Sequence, residues 1–323
     1  MARRIEVAWM MPPDPAAPDE GRPNARAPDA AAQHLPPMLT PLQKATYQEQ
    51  GWLVLPGFKS AGDTAAVCER ARAIVGAFDP AAGASRFSTR DRSFVADARL
   101  LASAEAVHCF FEEEALDAEG RLVVPKAQSI NKIGHALHDL DPVFSAFSKG
   151  PALAELAADL GLVRPQVWQS QVIFKQPQIG GEVGWHQDAS FFETDPITVT
   201  TFWFALEDAT LDNGCLWAEP GGHRGERGEL RERYVHEQAG GTGRLRMEPL
   251  SRRTWPSTAT ALPLPVEAGT LIVFHGLLPH YSAPNRSPRS RLAYTLHATC
   301  GTAAYSPRNW LQRSAALPVR GFV

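Results

Sequence analysis

The sequence predicts a mainly β protein, a double-sheet jelly roll with flanking helices. Two observations carry this. Gln166–Lys175, Thr198–Leu206, Gly214–Ala218, Leu271–Phe274 and Leu292–Thr299 are short runs of β-branched, aromatic and aliphatic residues, separated by Gly, Pro, Asn and Asp clusters. Such spacing is the signature of a sandwich or barrel. Helical patterns, by contrast, crowd into the first half of the chain, and helices followed by many strands place the helices on one side of a double sheet.

Taken in order, residues 11–38 hold eight prolines and seven alanines with almost no large apolar side chain. Burial there cannot offset the entropy of ordering, so residues 1–39 are expected to be a disordered arm and 40–323 the folded domain. Thr40-Pro41 is an N-cap followed by proline at the first helical position, and Gly51 ends that helix. Gly51–Phe58 reads as a short strand with a Pro-Gly turn. Ser60–Asp63 starts a second helix whose core stripe is Val67, Ala71, Ile74 and Phe78. A polar loop and a helix from Leu100 to Glu113 are expected next, and Ser129–His135 fits no period clearly. Asp141-Pro142 caps a further helix, and Leu153, Leu156, Ala157 and Leu160 form another helical core face before Gly161.

At 323 residues, 44% hydrophobic and 21% charged, the chain has the composition of a globular protein with a real core. A net charge of −3 and a pI near 6.4 give no electrostatic reason for a nucleic acid or anionic membrane partner. No apolar run approaches the ~20 residues that span a bilayer. Acidic residues and prolines interrupt the N-terminal segment, so no signal or transit peptide is expected. Cys68, Cys109, Cys215 and Cys300 are widely separated, which favours a reducing compartment. The expectation is a cytoplasmic protein, taken as a monomer, acting on a small molecule.

The chemistry-bearing stretch is Gly184–Phe192, read as extended. Within it His186 and Asp188 are two residues apart and leave a strand on the same face. They supply two ligands of the 2-His-1-carboxylate facial triad that holds non-haem iron(II). The third is His280, reached through a Gly/Pro bend after Gly269–Phe274, with His275 and His297 as rivals that spacing leaves open. Arg291 opens a later strand. An oxygenase of this kind needs an electron-donating co-substrate, and the distal carboxylate of 2-oxoglutarate calls for a planar bidentate partner such as arginine. Ser282 shares a face with His280 and could donate to the same carboxylate. Arg224, Arg227, Arg231 and Arg233 could meet the phosphates of a coenzyme A ester. Interleaved Glu226, Glu229, Glu232 and Glu237 instead favour a mixed-charge solvated helix or loop there.

The motifs extend well beyond the triad. Ser129–His138, Ile173–Pro177, Gly181–Val183, His186–Phe191, Glu207–Leu211, Asn213–Trp217 and Arg289–Arg291 together resemble the phytanoyl-CoA dioxygenase family of iron- and 2-oxoglutarate-dependent oxygenases, over roughly Pro41 to Leu317. The resemblance implies a double-stranded β-helix (jelly-roll, cupin-like) core and iron held by His186, Asp188 and His280. It also implies that Arg291 and Ser282 hold the distal carboxylate of 2-oxoglutarate, with Gln187 and Trp203 lining the co-substrate pocket. Gln128 and Gln171 stand where relatives carry Lys and Met. The implied reaction is hydroxylation, with Fe(2+), 2-oxoglutarate and O2 required and ascorbate as reductant. Two alternatives stand beside it: a cupin-type metalloenzyme that does not use 2-oxoglutarate and has no need of Arg291, and a non-catalytic module that binds iron and 2-oxoglutarate.

Overall fold

Three helices begin where the sequence offers a capping side chain. The Thr40 hydroxyl accepts the Gln43 amide at 3.2 Å while the Gln43 side chain accepts the Thr40 amide at 2.9 Å. Ser60 and Asp63 repeat this reciprocal pair, and the Asp141 carboxylate accepts the amides of Val143 and Phe144. Each cap satisfies donors that a first helical turn leaves without partners. The first helix stops at Gly51, whose φ of +92° favours glycine; a Cβ there would lie 2.5 Å from His223 Nδ1.

The computed structural model describes residues 38–80, 85–87, 98–239 and 242–323. The predicted arm lies outside these up to residue 37. Leu39, at its end, is buried, with its amide on the Asp159 carboxylate. The helices are α1 (Pro41–Gln50), α2 (Ala61–Ala77), α3 (Ala98–Ala102), α4 (Leu137–Leu140), α5 (Pro142–Ser148) and α6 (Pro151–Asp159). The strands are β1 (Trp52–Leu55), β2 (Ser85–Phe87), β3 (Val107–Glu112), β4 (Ile130–His135), β5 (Pro165–Lys175), β6 (Val183–His186), β7 (Thr194–Asp195) and β8 (Thr200–Ala205). They continue as β9 (Leu216–Ala218), β10 (Glu232–Ala239), β11 (Thr242–Pro249), β12 (Leu262–Leu264), β13 (Leu271–His275), β14 (His280–Ser282), β15 (Arg291–Cys300) and β16 (Ala304–Tyr305).

An eight-stranded sheet runs β1-β13-β8-β15-β5-β4-β3-β2, and a four-stranded sheet runs β12-β9-β14-β6. Alternation along the central strands gives the large sheet two different faces. Phe202, Phe204, Leu271, Val273, Tyr294 and Leu296 point one way, into a core shared with Val67 and Ala71 of α2, Phe144 and Phe147 of α5 and Leu153 and Leu156 of α6. Trp203, Ala205, Ile272, Phe274 and Ala293 point the other way and pack on Cys215, Leu216 and Ala218 at the small sheet. Helices cover one face and the small sheet covers the other, as the sequence predicts for a jelly roll. All four cysteines are buried and unbridged.

Three expectations are corrected. Of the helix from Leu100 to Glu113 only α3 and a following 3-10 turn form; Val107–Glu112 is strand β3. Its Val-His-Cys-Phe-Phe run suits a pleated surface, and short apolar runs are ambiguous in period. The mixed-charge segment after Arg224 becomes a short 3-10 turn and then β10, paired with β11, with Arg233 opposite Glu248 and Glu237 opposite Arg244. Finally, the strand through Gly184–Phe192 ends at His186, and Asp188–Ser190 is a 3-10 turn. The segment without a clear period, Ser129–His135, contributes β4, buried along its length.

Candidate active site

The inner face of the large sheet carries the polar residues of the site. Arg291, Thr295 and His297 follow the two-residue repeat of β15 on the side of Ala293, and Thr201 and Trp203 do so on β8. Opposite them, β14 and β6 pair in the small sheet with His280 directly across from His186. Gln187 keeps extended torsions, φ −122° and ψ 131°, so alternation persists one residue past β6 and returns Asp188 to the side of His186.

The three side chains converge. His186 Nε2 is 3.4 Å and His280 Nε2 3.7 Å from Asp188 Oδ1, and one ligand atom from each lies within 4.8 Å of the others. Adjacent ligands about 2 Å from an ion sit about 3 Å apart, so a small closing movement suffices. The tautomers fit as well. His186 Nδ1 donates to the Gly184 carbonyl at 2.8 Å and His280 Nδ1 to the Leu278 carbonyl at 3.0 Å, which leaves both Nε2 lone pairs turned to the centre. Burial, with the His186 ring beside it, pushes His280 down to about 4, so it is neutral at pH 7 as a ligand must be. Burial alone would raise the Asp188 carboxyl. The neighbouring histidines, His280 and His297 foremost, outweigh it and hold the group well below the usual carboxylate range. The donor set of two imidazoles and a carboxylate therefore suits a ferrous ion. The two rival histidines lie outside that group of three. His275 lies beside His223, the two rings tilted, and accepts the Leu277 amide, and His297 faces the other carboxylate oxygen.

A cavity of about 60 Å³ touches all three of these residues and also Trp203, Ser282 and Arg291. Arg291 is 1% exposed, and its Nε and Nη1 have no hydrogen-bond partner. Burial pushes it down only to about 10, so it remains a cation at pH 7. A buried guanidinium with unused donors is matched by a carboxylate. Ser282 lines the same cavity beside Arg291. Its hydroxyl donates to the Gly214 carbonyl at 2.8 Å and accepts Arg291 Nη2 at 3.5 Å, so it orients the arginine.

Two expected pocket residues, Gln187 and Gln128, are not brought to the site. Gln187 is fully buried on the opposite side, where Nε2 donates to the carbonyls of Glu229 and Leu277 and Oε1 accepts the Arg231 amide. Alternation requires this, because its neighbours on both sides face the metal position. Gln128 is exposed at the end of a 3-10 turn and lines neither cavity. A cation does enter the site four residues later. Lys132 of β4 lines a second cavity of about 180 Å³, and burial, opposed by Glu112, pushes it down to about 7. Gln171 touches both cavities, as do His186, Asp188 and His297, so the metal position opens to both. The larger cavity has aromatic walls, Trp185, Phe191, Phe192, Tyr234 and Trp310, with Asn131 and Gln169 among its polar groups. Two of the four arginines considered for phosphates are engaged elsewhere: Arg233 pairs with Glu193 and Glu248, and Arg231 lies 3.6 Å from Glu219.

The profile of the phytanoyl-CoA dioxygenase (PhyH) family matches residues 47–293. The chain belongs to the phytanoyl-CoA dioxygenase family. That family consists of non-haem iron- and 2-oxoglutarate-dependent oxygenases. Phytanoyl-CoA dioxygenase domain-containing protein 1 of Bos taurus is 43% identical over 291 residues, covering 87% of this chain and 97% of the relative. Phytanoyl-CoA dioxygenase of Arabidopsis thaliana is 41% identical over 277 residues, covering 85% and 94%. Among solved structures, EctD from S. alaskensis with 2-oxoglutarate and 5-hydroxyectoine aligns with a TM-score of 0.56 at 22% identity, covering 88% of each chain. The epimerase SnoN in complex with Fe3+, alpha ketoglutarate and nogalamycin RO aligns at 0.57 and 17% identity, covering 87% and 95%. At these identities the likeness is one of fold. Among the described residues, no helix is long and apolar enough to cross a membrane.

Proposed function

We propose that this protein hydroxylates a small or lipid-like molecule as an iron(II)- and 2-oxoglutarate-dependent dioxygenase, releasing succinate and CO2. One observation carries the reading: the His186–Asp188–His280 donor set and a buried Arg291 with two unpartnered nitrogens line a single cavity. The bound iron, 2-oxoglutarate and O2 supply the oxidising chemistry, and the protein supplies binding, orientation and exclusion of water. His186, Asp188 and His280 would hold the metal. Arg291, steadied by Ser282, would grip the distal carboxylate of the keto-acid, and Trp203, Leu216 and Phe274 would keep its stem dry. Asn131, Lys132, Gln169 and Gln171 would orient a substrate against the aromatic walls of the larger cavity. In this reading the enzyme works as a cytoplasmic monomer, with ascorbate keeping the iron ferrous.

A cupin-type enzyme without 2-oxoglutarate would leave the Arg291 guanidinium buried and unmatched. A non-catalytic binding module would have no use for a second cavity that reaches the metal position. The test is succinate formation by purified protein given Fe(2+), ascorbate and 2-oxoglutarate. Turnover above a metal-free control is expected, and an iron-loaded protein that forms no succinate with any added metabolite extract overturns the reading.

A further inference from the structure

Asp188 offers its two oxygens to different company. Oδ1 faces the Nε2 atoms of His186 and His280. Oδ2 accepts the Thr201 hydroxyl at 2.5 Å and lies 3.4 Å from His297 Nε2. Thr201 and His297 are direct cross-strand partners on β8 and β15, so their side chains stand side by side on the inner face of the sheet. Thr201 is 1% and His297 4% exposed, and the His297 ring stacks on Phe192 with centroids 4.9 Å apart. Neither side chain can swing away without opening the core.

The tautomer of His297 separates it from the metal-facing histidines. Those direct Nδ1–H to backbone carbonyls and present an Nε2 lone pair. His297 Nδ1 has no hydrogen-bond partner. With Nε2 against a carboxylate, the proton belongs on Nε2 and the bare lone pair on Nδ1. His297 is thus set up to donate to Asp188, not to ligate.

We infer that His297 and Thr201 are positioning residues that together pin Asp188 Oδ2, so that Oδ1 alone is presented to the metal. A carboxylate turns easily about its last bond, since such torsions are broad and roughly two-fold. Unpinned, Asp188 could chelate with both oxygens and occupy a coordination position that a facial-triad site must leave open for its co-substrates. Two donors on Oδ2 remove that alternative. The inference rests on the metal-centre reading above.

Co(II) titrated into the metal-free full chain tests it, because its visible d–d absorption reports both affinity and coordination number. Thr201→Val and His297→Leu should each weaken Co(II) binding by about 10–100-fold and alter the absorption intensity. Thr201→Ser and His297→Gln, which keep a donor, should move both readouts back toward wild type. Thr201→Val is close to isosteric and guards against a His297→Leu chain that fails to fold. Unchanged affinity and spectrum in both Thr201→Val and His297→Leu overturn the inference. So does a His297→Leu loss as complete as that of His280→Ala, which would make His297 a ligand. A wild-type chain that binds no Co(II) sinks the metal centre itself, whereas one that binds Co(II) yet forms no succinate sinks only the proposed activity.

Discussion

Arg291→Met should make the ligand-free protein more stable and the enzyme worse. The guanidinium is buried, still charged at pH 7, and leaves Nε and Nη1 without partners. An unsatisfied buried donor costs about 1–3 kcal/mol. Water reaching the adjoining cavity relieves part of this, and the substitution also removes a contact with the Trp203 ring, 5.6 Å away, of about 0.5–2 kcal/mol. The expected balance is a gain of about 1 kcal/mol. Affinity moves the other way, because truncating one side of a buried charge pair costs about 2–5 kcal/mol, a loss of about 30- to 5,000-fold in Kd. The assay is thermal unfolding of Mn(II)-loaded protein with and without 2-oxoglutarate. At a hundredfold excess over Kd the wild type gains about 2.7 kcal/mol, or about 5 °C in Tm. The variant should start higher and shift by at most about 1 kcal/mol, under about 2 °C. A variant that starts lower refutes the unpartnered-charge account, and one that shifts as the wild type does refutes the assignment of Arg291 to the carboxylate.

Removing a metal-facing side chain, by His186→Ala or Asp188→Ala, should abolish succinate formation with the circular dichroism spectrum intact; turnover retained in a metal-verified variant removes that residue from the site. Gln187→Leu should destabilise the protein by about 3 kcal/mol, because it strands the Arg231 amide and the Glu229 and Leu277 carbonyls in the interior. An unchanged urea midpoint would show that these groups find other partners. Burial, with His223 nearby, pushes His275 from its ordinary 6.5 down to about 4. The unfolded chain therefore binds that proton first. The stability linked to His275 is full above pH 6.5 and is lost as pH falls toward 4. His275→Asn should flatten the slope of unfolding free energy across that window, and an unaltered slope would assign the pH dependence to other groups.

Local chemistry was readable in the chain and non-local register was not. Thr40, Ser60 and Asp141 mark helix starts because a cap is satisfied within its own turn. The central strands of the large sheet, β5, β8, β13 and β15, were visible because runs buried on both faces are almost uniformly apolar. The β10–β11 hairpin was hidden for the opposite reason. Its arginines and glutamates pair across strands, Arg233 with Glu248 and Arg246 with Glu237, whereas within one segment the same alternation reads as a solvated helix face. Lys132 went unassigned because nothing in β4 itself says that β5 and the aromatic walls will enclose its side chain.

The metal position shows the same division most sharply. The spacing of His186 and Asp188 is enough to put them on one side of an extended segment, and it puts Gln187 on the other. Choosing among His275, His280 and His297 needs the register of β14 on β6, which sets His280 across from His186. With a side-chain period of two, a one-residue slip of β14 would turn His280 outward and bring Tyr281 in. The small sheet resists that slip on its other edge too, where β9 pairs Ala218 with His280, Trp217 with Tyr281 and Leu216 with Ser282. The Trp185 and Tyr281 rings stack 5.3 Å apart beside that ladder. The placement of His280 therefore depends on aromatic and backbone pairing beyond the three candidate ligands, and Tyr281→Gly, which loosens that pairing without touching any of them, should weaken Co(II) binding. Unchanged Co(II) affinity in that variant would mean that the backbone ladder alone holds the register.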